Sequence, residues 1–165
     1  DLAVRLGQRP QGDLVATRLC PTHYRVVASP AYLDAAAPLE VPADLATHGC
    51  TVFALPGFRS AWRFRARVGE GHAEVESVDI SAETVVTSAL SLRSIVLGGG
   101  GPALLADWLV GDDIAEGRLV DVFPDCDATA SDFDSAAWLI YPSRHYLPNK
   151  VRVTIDFLKS RLANN

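Results

Sequence analysis

Two rhythms of hydrophobic and polar positions run through this chain, and the places where they change mark its elements. Trp62, Phe64, Ala66 and Val68 alternate with Arg63, Arg65 and Arg67, the period-two pattern of a half-buried strand. Gly69-Glu70-Gly71-His72 supplies a turn and Ala73-Glu74-Val75-Glu76 returns, which predicts a hairpin. With Glu70-Gly71 at the loop centre, Arg67 faces Glu74 and Arg65 faces Glu76 across the strands. Val151, Ile155, Leu158 and Leu162 recur at spacings of four, three and four, the apolar face of a closing helix opened by Pro148.

Between these, strand and helix signals alternate, the grammar of an α/β fold. Asp1-Leu2-Ala3-Val4-Arg5 reads as a strand already under way, so a truncated chain is expected, with upstream residues completing the sheet. Leu14-Val15-Ala16 and Tyr24 to Ala28 read as extended pieces joined through Cys20-Pro21. Ser29-Pro30 has the cap-then-proline form of a helix start. Pro42-Ala43-Asp44-Leu45 predicts a short helix before a strand through Cys50 to Ala54. Ile80-Ser81-Ala82-Glu83-Thr84-Val85 reads as a helix entry with Ser81 as cap, running on through Val86, Ala89, Leu90 and Arg93. A tight turn is expected at Gly98-Gly99-Gly100-Gly101-Pro102. Ala103-Leu104-Leu105 follows, then a helix near Trp108-Leu109-Val110 that Gly117 ends, then a strand over Arg118 to Phe123. The acidic stretch 125–135 reads as a solvated connector, and Trp138 to Tyr141 as a buried strand.

Composition narrows the function classes. The 165 residues are 48% hydrophobic and 21% charged, with a formal net charge of −5. Fifteen Lys and Arg scattered along such a chain argue against this segment gripping DNA by itself. No apolar run approaches the ~20 residues that cross a bilayer, so no membrane partner is expected. Cys20, Cys50 and Cys126 form no C-x-x-C pair, which disfavours a structural zinc site or a disulfide framework, and reduced cytosolic thiols are the default. The glycine run lacks the Lys-Ser or Lys-Thr of a phosphate loop and the spacing of a dinucleotide fingerprint. Gly57-Phe58-Arg59-Ser60-Ala61 is no nucleophile elbow. His23, His48, His72 and His145 lie on unrelated elements, and the Asp spacing in 125–135 lacks the Gly and terminal Glu of a calcium loop. No catalytic residue, metal or cofactor is called for. The chain reads as one that binds.

Several segments, in order, resemble the effector domain of LysR-type transcription regulators. Asp1-Leu2-Ala3-Val4-Arg5-Leu6-Gly7 resembles that family's D-L-A-V-R-x-G strand, and Val27-Ala28-Ser29-Pro30-Ala31-Tyr32-Leu33 its V-A-S-P-A-Y-L run. Pro42-Ala43-Asp44-Leu45 with His48-Gly49-Cys50 is similar to P-x-D-L…H-x-C, and Trp62-Arg63-Phe64 to the W-x-F strand. Ala103-Leu104-Leu105, Trp108-Leu109-Val110 and Asp113 to Val120 resemble A-L-L-P-x-W-L-V…D-L-x-x-G-R-L-V. Tyr141-Pro142-Ser143-Arg144 and Leu147-Pro148 to Leu162 resemble the closing Y-P-S-R…L-P segment. The family's A-G-L-G-I is replaced here by the glycine run.

The resemblance implies a type 2 periplasmic-binding-protein fold, two α/β lobes joined by two crossover strands. Lobe one would hold 1–24 and 138–165 and be incomplete; lobe two would hold 25–137. It implies a cytoplasmic protein that self-associates as a homodimer or tetramer. A small-molecule effector, expected to be a carboxylate metabolite, would sit in the interlobe cleft and modulate promoter DNA binding by a winged helix-turn-helix outside this chain. On that topology Arg5 is expected to pair with a carboxylate. Ser81, Ala82 and Thr84 would offer free helix N–H groups, with Glu83 opposing an anion, and Leu55, Pro56 and Phe58 would line an apolar wall. The alternatives are a transport solute-binding protein of the same fold, which a secretory signal would precede, or a small enzyme on it, which needs a reactive cluster not found here.

Overall fold

The computed structural model describes residues 2–67, 74–142 and 148–162. In chain order the first elements are β1 (Ala3–Gly7), β2 (Val15–Pro21), β3 (Tyr24–Ala28) and α1 (Pro30–Ala35). After a 3-10 turn at Pro42–Thr47 come β4 (Gly49–Phe53), a second such turn at Pro56–Arg59, β5 (Ala61–Ala66), β6 (Val75–Asp79) and β7 (Ser81–Val86). Then follow α2 (Ala89–Leu97), β8 (Ala103–Ala106), α3 (Asp107–Ala115), β9 (Val120–Asp121) and β10 (Cys126–Thr129). Last are β11 (Ala136–Tyr141) and α4 (Asn149–Leu162). The chain divides into two compact units, one of residues 1–22 with 134–165 and one of residues 23–133.

The first unit is an antiparallel sheet in the order β1-β11-β2. The closing helix lies where its spacing predicts: Val151 and Ile155 are buried with Leu19, Ala137, Leu139 and Tyr141, and Leu158 and Leu162 pack at the margin. Val4 pairs with Leu139 and Leu6 with Ala137, so both point to the face that α4 covers elsewhere. They remain 54% and 45% exposed.

The second unit is built on the antiparallel path β6-β5-β10-β3-β8, with β9 beside β3 and a separate parallel pair β4-β7. β3, which pairs with β10, β8 and β9, is buried on both faces. Val26 joins Trp62, Phe64, Val78, Leu104 and Phe123 on one side. Val27 joins Leu92, Val96, Leu105, Val110 and Leu119 on the other, beneath α2 and α3. That double burial is why this stretch reads as a continuous apolar run. Ser29 caps α1 as expected, accepting from the Tyr32 N–H at 3.3 Å.

Four sequence expectations are corrected. The hairpin keeps its inward face, with Trp62 and Phe64 buried, but its register is shifted by one: Arg65 faces Val75 and Phe64 faces Glu76. Arg65 and Arg67 instead pair with Asp127 on the other side of β5, at 2.9 and 2.8 Å. Asp127 belongs to β10, so the acidic stretch is no simple connector: residues 126–129 form a strand between β5 and β3. The helix expected from Ser81 is the strand β7. The run Thr84-Val85-Val86 is β-branched, which disfavours helix, and β4 supplies a parallel partner. The helix begins at Ala89, with Ser88 accepting from the Ser91 N–H. Fourth, the strand expected over Arg118 to Phe123 is only Val120–Asp121. Val68, the turn 69–72 and Ala73 lie outside the described residues, as do Ser143, Arg144, His145 and Leu147.

The glycine run is a tight turn. Gly99 has φ +89°, and a Cβ on Gly101 would lie 1.7 Å from the Gly49 carbonyl oxygen. That near-contact places the turn directly against β4, a distance no other residue permits.

Two helices and a loop converge on Asp113, which is fully buried. Arg93 on α2 donates to it through Nε and Nη2 at 2.5 and 2.7 Å, and Arg118 through Nε at 2.8 Å. The Arg93 hydrogen bonds, reinforced by Arg118, hold this carboxyl below the usual carboxylate range against the opposing effect of its burial.

Trp62→Ala is expected to destabilise the chain by about 3–5 kcal/mol, measured by urea denaturation, since it empties a core site and orphans the Phe58 carbonyl that Nε1 bonds. Ser88→Ala should cost about 1 kcal/mol while Ser81→Ala costs little; equal costs would contradict the assigned helix start. A depressed folded pKa stabilises above the unfolded value and is lost as pH falls through the folded one. Urea midpoints should therefore drop below pH ~4, and Asp113→Asn should be less stable at neutral pH with a flatter acid limb.

Candidate functional site

The expected contact residues fall on three elements. Arg5 sits in β1 opposite Trp138, exposed, with no ion pair among the described residues. Ser81, Ala82 and Thr84 are exposed along β7, paired with Gly49, Cys50 and Thr51 of β4. Their amides therefore belong to a strand and are not the free N–H groups of a helix start. The register slips between Cys50 and Thr51, leaving Glu83 as the extra residue.

Leu55 and Pro56 are exposed where the chain leaves β4, and the Ala54 N–H donates to the Val86 carbonyl at 2.8 Å. This bond brings the ends of β4 and β7 together, with the Ser88-capped start of α2 two residues on. Phe58, also expected in the apolar wall, has packing partners of its own. Its ring packs edge-on against Tyr24 and Phe53, with centroids 5.6 and 6.0 Å apart, and its carbonyl holds Trp62. Phe58 is half-buried, while Leu55 and Pro56 beside it are exposed.

Sequence reasoning missed a polar contact beneath β4. Tyr32 Oη lies 2.7 Å from His48 Nδ1, while His48 is buried and its Nε2 has no hydrogen-bond partner among the described residues. Burial raises the Tyr32 phenol above its ordinary value, with Cys50 and Glu83 adding to the effect. Cys50 is fully buried, bonds weakly to the His48 carbonyl, and its thiol is pushed up to about 12 by burial. Tyr32 and His48 are sixteen positions apart on different elements, so no local spacing reveals the pair. A thiol kept neutral at physiological pH supplies no nucleophile. Among the described residues no three His, Cys, Asp or Glu side chains are grouped so as to hold a metal ion.

The chain belongs to the LysR substrate binding domain family, which matches residues 1–163. It is 33% identical over its whole length to the HTH-type transcriptional regulator CrgA of Neisseria meningitidis serogroup C, covering 52% of that protein. It is 31% identical to the HTH-type transcriptional regulator PtxR of Pseudomonas aeruginosa, with 98% of this chain and 49% of that protein covered. The chain thus spans about half the length of these curated relatives. The solved CrgA regulatory domain, from N. meningitidis, superposes with a TM-score of 0.76 at 30% identity, covering 98% of this chain and 75% of that one. The fold is the mixed α/β, type 2 periplasmic-binding-protein-like fold of LysR regulatory domains. No helix among the described residues is long and apolar enough to cross a membrane.

Iodoacetamide at neutral pH is expected to leave Cys50 unmodified in the native chain and to alkylate it in denaturant, read by peptide mass spectrometry; native labelling of Cys50 would contradict its burial.

Proposed function

We propose that this chain is the ligand-sensing part of a cytoplasmic transcription regulator, with no catalytic activity of its own. The observation that carries the reading is the family match over essentially the whole chain, together with relatives named as transcription regulators. The effector occupies the cleft that the family resemblance implies. The effector is a small carboxylate-bearing metabolite. Its binding shifts a conformational equilibrium that is read out by a DNA-binding domain outside this chain, in a protein that associates with itself.

Arg5 is the proposed carboxylate partner, because its guanidinium is exposed and makes no ion pair among the described residues. Leu55 and Pro56 are proposed as apolar contacts. Ser81, Ala82 and Thr84 contribute as exposed strand residues, with no helix N-terminus behind them.

Calorimetry with the whole regulator against a panel of aromatic and aliphatic acids tests this. Arg5→Ala should weaken the binding acid by about tenfold or more, the loss of one charge-assisted pair. An acid bound equally well by the variant overturns the role of Arg5. In mobility-shift titrations the 165-residue chain alone should show no sequence-specific DNA retention, and a specific shift would overturn the division of labour.

A further inference from the structure

The three-stranded sheet of the smaller unit has a face turned away from α4. Side chains directly opposite each other in an antiparallel pair share a face. The register of β1, β11 and β2 therefore places Arg5, Trp138 and Arg18 in one row across the three strands. Ala3, Ile140 and Ala16 form the next row. Leu19, Ala137, Leu139 and Tyr141 point the other way, into the core with Val151 and Ile155 of α4. A strand spacing of about 4.8 Å sets the backbones of Arg5 and Arg18 roughly 10 Å apart, with Trp138 between them.

Neither arginine is committed elsewhere. Both are exposed, and neither makes an ion pair among the described residues, whereas Arg25, Arg65, Arg67, Arg93 and Arg118 each have a carboxylate. Trp138 is half-buried, and its Nε1 donates to the Gly7 carbonyl at 2.9 Å. With that donor taken, what the indole offers a ligand is its apolar ring. Gly7 has φ +117°, a conformation that glycine supplies, and it adds no side chain beside the ring. Ala3 and Ala16 keep the flanks of the neighbouring row low. Two uncommitted cations thus stand on either side of a pinned aromatic surface.

We infer that Arg5 and Arg18 form a two-point clamp across Trp138, and that the ligand it takes is a planar aromatic dicarboxylate. The ligand ring lies against the indole, and one carboxylate goes to each guanidinium. The inference rests on the carboxylate reading of Arg5 above, and it adds Arg18 and Trp138 as the residues that select the acid. A monocarboxylate leaves one guanidinium without its partner. An aliphatic diacid forgoes the ring contact and loses chain freedom on binding. An aromatic diacid satisfies all three side chains at once.

The test is calorimetry with the whole regulator against terephthalate, benzoate and adipate. Wild type is compared with Arg18→Gln and Trp138→Leu, each checked for native circular dichroism. Terephthalate should bind wild type at least about tenfold more tightly than benzoate, the worth of one charge-assisted pair. Arg18→Gln should remove that advantage while leaving benzoate nearly unchanged. Trp138→Leu should weaken both aromatic acids by roughly threefold to tenfold and adipate hardly at all. If none of the three acids binds, the carboxylate reading and the clamp fall together. Benzoate or adipate bound as tightly as terephthalate, or a terephthalate affinity indifferent to Arg18→Gln, overturns the clamp alone.

Discussion

Asp113 holds three segments of the larger unit in register. A carboxylate removed from water is tolerated only when its charge and lone pairs are met, and here two guanidinium groups meet them. Arg93 reaches it from α2. Arg118 comes from the loop after α3, where Gly117 takes φ +71° and lets the chain turn back, so that the Arg118 and Leu119 N–H groups donate to the Asp113 carbonyl. Arg118 also pairs with Glu116. One residue thereby fixes the angle between α2 and α3 and the path into β9. The two helices cover the face of β3 that carries Val27, so the position of that core follows from the same carboxylate.

The other face of β3 depends on close approach rather than charge. Gly101 lies against the Gly49 carbonyl, which brings the turn after α2 directly onto β4 and delivers Cys50 and Val52 into the core with Trp62 and Phe64. The ends of β4 and β7 are aligned by this arrangement, and the exposed Leu55 and Pro56 follow from it. The exposed strand end at Leu55 and Pro56 is thus set by two constraints, a buried paired carboxylate on one side of the sheet and a pair of close-packed glycines on the other. None of the residues that enforce it needs to touch an effector.

Much of the fold was legible because it rests on local physics. The Ser29-Pro30 cap, the period-two strand at Trp62 and Phe64, the glycine turn and the closing helix each follow from neighbours within a few positions. The candidate site was legible only in part. Leu55 and Pro56 lie exposed at a strand end and Arg5 lies exposed in its strand, whereas the packing of Phe58 on Tyr24 and Phe53 joins distant elements. The Tyr32–His48 contact and the Asp113 pairing join residues from separate elements, and no spacing announces them.

The errors share one cause. Ser81 followed by Glu83 has the local form of a helix cap, yet β4 offers those residues a parallel ladder, and a strand partner outweighs a weak helix preference. The acidic run at 125–135 has turn-prone composition, yet Asp127 is drawn into the sheet by Arg65 and Arg67, the same arginines that local reasoning had matched to Glu76 and Glu74. By itself the sequence determined family, fold class, most elements and which strand faces are apolar, because periodicity and ordered motifs are carried by near neighbours. Only the tertiary structure decided strand partners, hairpin register and the true start of α2, because each depends on which distant backbone supplies the hydrogen bonds.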